Sequence, residues 1–303
     1  MKAPKALQKG DQVAIISTAR AVRPADMAPA HALLKDWGLK PREGPHLYQV
    51  HHQMAGTAQQ RAADLTWALE NPAIKAIFCA RGGYGTIQLL DYFDHTLVAR
   101  HPKWLVGFSD VTVLHNLYAR HGLMSIHASM PSLFAQNTSQ ALTSLRQALF
   151  GETYQISAPA HPFNQWGQAQ GPLTGGNLSM VYSQCGSPTR LHTLGQLLFL
   201  EDIDEYLYHL DRMLYNLRYN GYLEAPAGIL LGGFTEMNDH EIPFGESAHE
   251  ILHRHLGQLG IPVAYNLPAG HVRDHRALVF GQVGQMWVGT KGTLLTFDQD
   301  GRT

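Results

Sequence analysis

Ser109 stands where the apolar run Trp104-Leu105-Val106-Gly107-Phe108 breaks and a helical pattern resumes at Asp110-Val111-Thr112-Val113-Leu114. A strand entering a helix through a tight turn lifts a serine hydroxyl clear of a parallel sheet and aims the helix N-terminus at it. That is the chemistry of a nucleophile. The second glycine of G-x-S-x-G is Val111 here, so the segment alone equally suits a helix capped by Ser109 or Asp110. Arg81-Gly82-Gly83-Tyr84-Gly85 follows the apolar run Ala76-Ile77-Phe78-Cys79. Its glycines allow backbone amides to approach an anion closely. The spacing matches neither G-x-G-x-x-G nor the Walker pattern, which argues against a nucleotide phosphate and for an oxyanion hole or a plain turn.

Two further segments could supply an acid and a base. Glu201 sits where the apolar run Leu198-Phe199-Leu200 stops, the usual position of active-site residues in α/β sheets. Asp204 and Glu205 read as N-terminal charges of the next helix. His271 lies in the loop Pro268-Ala269-Gly270-His271. With 18 histidines in the chain, His271 stands out only through its glycine and proline neighbours, which argue for a fixed loop. His249-Glu250-Ile251-Leu252-His253 fits H-E-x-x-H, a pattern that can hold zinc on a helix face. The apolar positions Ile251, Leu252, Leu256 and Leu259 instead describe an amphipathic helix, and no third ligand follows at a metal spacing. No metal and no cofactor is expected.

These residues must be held by an alternating framework. Val13–Ser17, Ile74–Cys79, Trp104–Phe108 and Met124–His127 read as strands, and Thr57–Glu70, Val111–Tyr118 and Ser139–Leu149 as helices. Alternation of that kind implies a parallel sheet covered on both faces. The Pro-, Gly- and Gln-rich stretch 151–171 lacks helical periodicity and is expected as a linker between domains spanning 1–150 and 172–303. In the second half Gln196–Leu200 and Gly228–Leu231 read as strands. Ala277–Phe280, Gln285–Gly289 and Thr293–Phe297 are expected as an antiparallel ribbon. A net charge of −1 over 303 residues gives no basic footprint for nucleic acid and no charge run for a membrane surface. Cys79 and Cys185 offer neither a disulfide framework nor a C-x-x-C site. A soluble cytoplasmic protein acting on a small molecule or peptide is expected.

Taken in order, Leu7 to Ile16, Arg81 to Gly85, Gly107-Phe108-Ser109-Asp110, Gly171 to Leu178, Leu200-Glu201-Asp202, Asp211 to Leu214 and Gly270-His271 resemble the LD-carboxypeptidase family of serine peptidases. That family includes muramoyltetrapeptide carboxypeptidases and microcin C immunity proteins, and the resemblance spans residues 7 to 282. It implies a flavodoxin-like first domain, a smaller mixed α/β second domain and an active site between them. It also implies a Ser109, Glu201, His271 triad, with backbone amides of Gly83 and Asp110 forming the oxyanion hole. The implied reaction is release of terminal D-alanine from a murein tetrapeptide in peptidoglycan recycling, by a metal-independent homodimer.

Thr18-Ala19-Arg20 departs from the Pro-Ser pair common after the family's first strand, and Ala269 replaces a bulkier residue. Alternative readings are a microcin C-type immunity peptidase acting on aminoacyl nucleotide analogues and a non-catalytic binding module for peptidoglycan fragments. An α/β-hydrolase esterase shares the chain order Ser, acid, His, but no His-Gly oxyanion segment precedes Ser109.

Overall fold

The computed structural model describes residues 1–297, which divide into two compact units. Met1–Thr153 and Arg276–Gly281 form the first; Tyr154–His275 and residues 282–297 form the second. The first unit contains β1 (Gln12–Ile16), α1 (Pro24–Asp36), β2 (Lys40–Glu43), α2 (Ala58–Glu70), β3 (Ile74–Cys79), α3 (Thr96–Arg100), β4 (Trp104–Gly107), α4 (Thr112–Arg120), β5 (Ser125–His127) and α5 (Ser139–Phe150). The second contains β6 (Gln155–Ala158), β7 (Gly167–Asn177), α6 (Leu178–Ser183), β8 (Leu197–Ile203), α7 (Leu207–Tyr219), β9 (Gly228–Thr235), α8 (Ala248–Leu256) and β10 (Val263–Ala264). After it β11 (Leu278–Phe280) returns to the first unit, and β12 (Val283–Gly289) and β13 (Gly292–Phe297) complete the second.

Among the described residues the first sheet runs β11-β5-β4-β3-β1-β2, parallel except for β11 against β5. The order β2-β1-β3-β4-β5 is that of flavodoxin, whose ligand crevice opens beyond the carboxyl ends of β1 and β3, where the strand order reverses. Helices on both faces explain why Val13, Ala14, Ile15 and Ile16 are all fully buried with no polar alternation. Each such branched aliphatic side chain contributes about 1.5–3 kcal/mol on leaving water. Leu65, Leu69, Leu114 and Leu117, on α2 and α4, pack into the same core as Ile16 and Ile77. The helix ends are chemically marked. Thr57 Oγ1 accepts from the Gln60 amide while Gln60 Oε1 accepts from that of Thr57, a capping box.

The second sheet runs β10-β9-β8-β7-β12-β13-β6, parallel through β7 to β10 and antiparallel on the other side. Leu198 and Leu200 of β8 pack with Leu210, Met213, Leu214 and Leu217 of α7. The stretch expected as a linker carries β6 and the start of β7. Along β7 the exposed Gln168 and Gln170 alternate with the more buried Gly167, Ala169 and Gly171, so the stretch shows no continuous apolar run. The expected three-strand ribbon is a β12/β13 pair only, because β11 pairs with β5 instead.

Candidate active site

The turn that follows β4 is strained. Phe108 is extended at φ −155° and Ser109 adopts φ +62° before the 3-10 turn Ser109–Val111 leads into α4. A non-glycine residue in that region costs on the order of 1–3 kcal/mol and persists only where its surroundings fix it. The fixing groups are identifiable. His115 of α4 lies between the Gly107 carbonyl, 2.9 Å from Nε2, and the Ser125 hydroxyl, 2.8 Å from Nδ1. Full burial drives its pKa down to about 4, so the ring is neutral. Its Nε2–H donates to the carbonyl, and Nδ1 accepts from the hydroxyl.

Asp110 ties this turn to the glycine loop after β3. It is buried, and its Oδ2 accepts from the Thr86 amide at 2.8 Å. Burial raises the carboxyl pKa, against the Thr86 hydrogen bonds and the charges of Arg61 and Arg20. Arg61, 1% exposed, donates to the Gly56 carbonyl at 2.8 Å and to Gln88 Oε1 at 2.6 Å. The loop therefore lies against the Ser109 turn: a Cβ on Gly82 would stand 3.2 Å from the Ser109 Cβ. Gly83 adopts φ +112° and is covered by Arg20, whose Cδ lies 2.6 Å from where a Gly83 Cβ would be. Only glycine meets both conditions without displacing that arginine.

In the second unit Glu201 and His271 form a bonded pair. The carboxylate is fully buried in β8; its Oε2 lies 2.6 Å from His271 Nδ1 and accepts from the His271 amide at 3.1 Å. Two bonds from one residue fix the imidazole and make Nδ1 the protonated nitrogen of the neutral ring, which leaves Nε2 as its basic atom. Gly270 makes the approach possible: at φ +95°, a Cβ there would meet Glu201 Oε2 at 2.6 Å. Burial opposes the charged ring, but the charge and hydrogen bond of Glu201, with Asp202 and Glu236 beyond, outweigh it and raise the His271 pKa above the usual imidazole value.

The sequence model described as the LD-carboxypeptidase N-terminal domain matches residues 13–128, and that of the LD-carboxypeptidase C-terminal domain matches residues 170–286. A probable murein peptide carboxypeptidase of Bacillus subtilis is 34% identical over 289 residues, covering 93% of this chain and 91% of that protein. The chain belongs to the LD-carboxypeptidase family. Another relative, the murein tetrapeptide carboxypeptidase of Pseudomonas aeruginosa, is 32% identical over 283 residues, 89% of this chain and 91% of its own. The crystal structure of muramoyltetrapeptide carboxypeptidase from Oxalobacter formigenes superposes with a TM-score of 0.87 at 27% identity, covering 94% of this chain and 98% of that one. The fold is the two-domain α/β fold of these proteins. MccF in complex with glutamyl sulfamoyl guanosine shares that fold at a TM-score of 0.85 and 19% identity, over 97% and 98% of the two chains.

In this chain the H-E-x-x-H residues do other work. Glu250 closes a capping box, its Oε2 accepting from the Ser247 amide at 2.8 Å and hydroxyl at 2.7 Å. His253 stacks on Phe163 at 4.4 Å between ring centroids, and His249 meets His161 and Tyr265 edge-on. Among the described residues no group of three or more His, Cys, Asp or Glu is placed to hold a metal ion. Replacing His249 and His253 together with alanine is expected to lower stability by about 1–3 kcal/mol and leave kcat unchanged, as read by thermal melting beside peptidase assays. Loss of kcat at unchanged stability, together with inactivation by a chelator, would restore the zinc reading.

Two positioning residues of the family member escape sequence reading. Asp202 accepts from Asn177 Nδ2 at 2.8 Å and from the Ser179 amide and hydroxyl at 3.0 and 2.9 Å, fastening the start of α6 to β8. Burial, reinforced by the neighbouring Glu201 charge, raises its pKa to about 7. Strand alternation carries the signal, since adjacent acids on a strand face opposite sides and cannot share one role. Arg61 has no such signal, because nothing in Gln60-Arg61-Ala62 distinguishes a buried arginine from a surface one.

Proposed function

We propose that this chain is a metal-independent serine LD-carboxypeptidase that releases terminal D-alanine from murein tetrapeptide. The observation that carries the chemistry is the Glu201–His271 pair at 2.6 Å, in a chain that also holds a serine on a strand-to-helix turn at φ +62°. The names of the Bacillus and Pseudomonas relatives carry the substrate class. Ser109 Oγ attacks the scissile carbonyl carbon as its proton passes to His271 Nε2. The amides of Gly83 and Asp110 receive the developing oxyanion, the positive end of α4 adding to the second. Collapse of the tetrahedral adduct breaks the C–N bond, and His271 returns the proton to the departing D-alanine amine. Water then hydrolyses the acyl-serine, again through His271. Glu201 fixes the tautomer and stabilises the imidazolium.

The same reading places the protein in the cytoplasm as a homodimer working on recycled peptidoglycan fragments. Among the described residues no helix is long and apolar enough to cross a membrane. Incubating purified protein separately with murein tetrapeptide and with an aminoacyl sulfamoyl nucleotide, and identifying the products by mass spectrometry, tests it. Free D-alanine and tripeptide are expected. Cleavage of the nucleotide alone would transfer the protein to the immunity class, and cleavage of neither to the binding modules.

A further inference from the structure

We infer that Arg20 is the cation that receives the substrate's terminal carboxylate, an inference that rests on the carboxypeptidase reading above. Arg20 follows β1, and Arg81–Gly85 follows β3. In this strand order the crevice for a ligand opens beyond the carboxyl ends of those two strands. The two segments touch. The Arg20 amide donates to the Gly82 carbonyl at 3.5 Å, and Arg20 Cγ, Cδ and Nε lie within 2.6–2.8 Å of where a Cβ on Gly83 would be. Gly82 in turn lies against Ser109.

Chemistry narrows the role. A peptidase that removes one terminal residue must read a carboxylate one residue beyond the scissile carbonyl, about 3.8 Å along the chain from Cα to Cα. With that carbonyl oxygen on the Gly83 amide, the reading cation must stand beside the same loop. A guanidinium presents a planar fork that matches a carboxylate with two parallel N–H donors. Four other arginines, Arg23, Arg100, Arg146 and Arg254, hold carboxylates of the protein itself. Among the described residues Arg20 holds none, and it is exposed to solvent. Its neighbour Arg81 is engaged with the Ala21 carbonyl at 3.4 Å. Arg20 also occupies the short segment in which this chain departs from the family's usual pattern, so the carboxylate reader is a property of this chain's own residues.

The test compares a murein tetrapeptide ending in a free carboxylate with the same peptide ending in an amide. The wild type, Arg20→Gln and Arg20→Lys are assayed for turnover, and each change is repeated in a Ser109→Ala background for binding by calorimetry. Arg20→Gln keeps the stem over Gly83 and removes the charge; Arg20→Lys keeps the charge and removes the fork. The expected result is a KM for the free acid raised about 10- to 100-fold in Arg20→Gln. The acid-over-amide preference falls toward unity in both turnover and binding, and Arg20→Lys recovers part of it. A preserved preference in Arg20→Gln, or equal losses on acid and amide, would overturn the assignment while leaving the peptidase reading intact. A wild type that binds the acid through Arg20 without releasing D-alanine would overturn the peptidase reading instead. Binding of neither peptide would overturn both.

Discussion

Ser109→Ala is expected to lower kcat on murein tetrapeptide by about 10³-fold or more while leaving substrate binding and the melting temperature close to those of the wild type. The change deletes one oxygen from a half-buried side chain, so little packing is lost. Alanine is as strained as serine at φ +62°, and the turn is held from outside by Asp110–Thr86 and by His115 on the Gly107 carbonyl. On the proposed mechanism, removing the oxygen takes away the covalent path and not the scaffold. The residual rate reports the oxyanion amides and substrate positioning alone. Steady-state kinetics beside calorimetric binding and thermal melting separates these quantities. Wild-type turnover in this variant would reduce Ser109 to a helix-capping residue.

The second large effect is the pH dependence set by His271. A general base acts only when deprotonated, so kcat/KM is expected to rise with pH through an apparent pKa above the usual imidazole value of about 6.5. The sign follows from the surroundings. The Glu201 carboxylate, with Asp202 and Glu236 further off, favours the imidazolium more than burial disfavours it. Burial and the Glu201 charge push the Asp202 carboxyl up to about 7, into the range of the imidazole, so the acidic limb is expected to belong to the cluster and not to one residue. Glu201→Gln removes the strongest acceptor, and the limb moves to lower pH. The plateau falls by roughly 10³–10⁴, because the tautomer with Nε2 basic is no longer selected. His271→Ala abolishes the limb. Profiles of kcat/KM for the three proteins, with folding checked at each pH, measure this directly. An unchanged limb in an active His271→Ala would assign the base to another group.

Much of this was legible in the sequence where burial is one-sided or complete. β1, β3 and β4 are apolar runs because helices cover both faces, and α2 lies within the stretch Thr57–Glu70 expected as a helix. Elements that obey other constraints were silent. β2 is Lys40-Pro41-Arg42-Glu43, an edge strand whose side chains are mostly in water, and α1 carries Pro29 in its interior. β7 spends its composition on close approach: a Cβ on Gly175 would lie 1.8 Å from the Phe199 carbonyl oxygen, so an obligatory glycine reads as a loop. Glu201 was legible at the end of an apolar strand and His271 in a Gly- and Pro-flanked loop, but their pairing was legible only through the ordered set of motifs. Their 2.6 Å contact joins residues 70 positions apart, and no spacing rule in one chain foretells it. Arg20 was legible only as a departure from the family's pattern, and its place over Gly83 comes from the adjacency of β1 and β3.

The central claim is that Ser109 of the first unit and His271 of the second act in one chemical step. A double-mutant cycle tests it most directly, with kcat/KM on murein tetrapeptide measured for wild type, Ser109→Ala, His271→Ala and the double variant. Members of a nucleophile–base unit are not independent, because once one is gone the other has no reaction to assist. The double variant is therefore expected to be no slower than the slower single variant, to within about threefold. Losses that multiply, so that the double variant falls by the product of the two single effects, would show that the serine and the histidine act separately and would contradict the account.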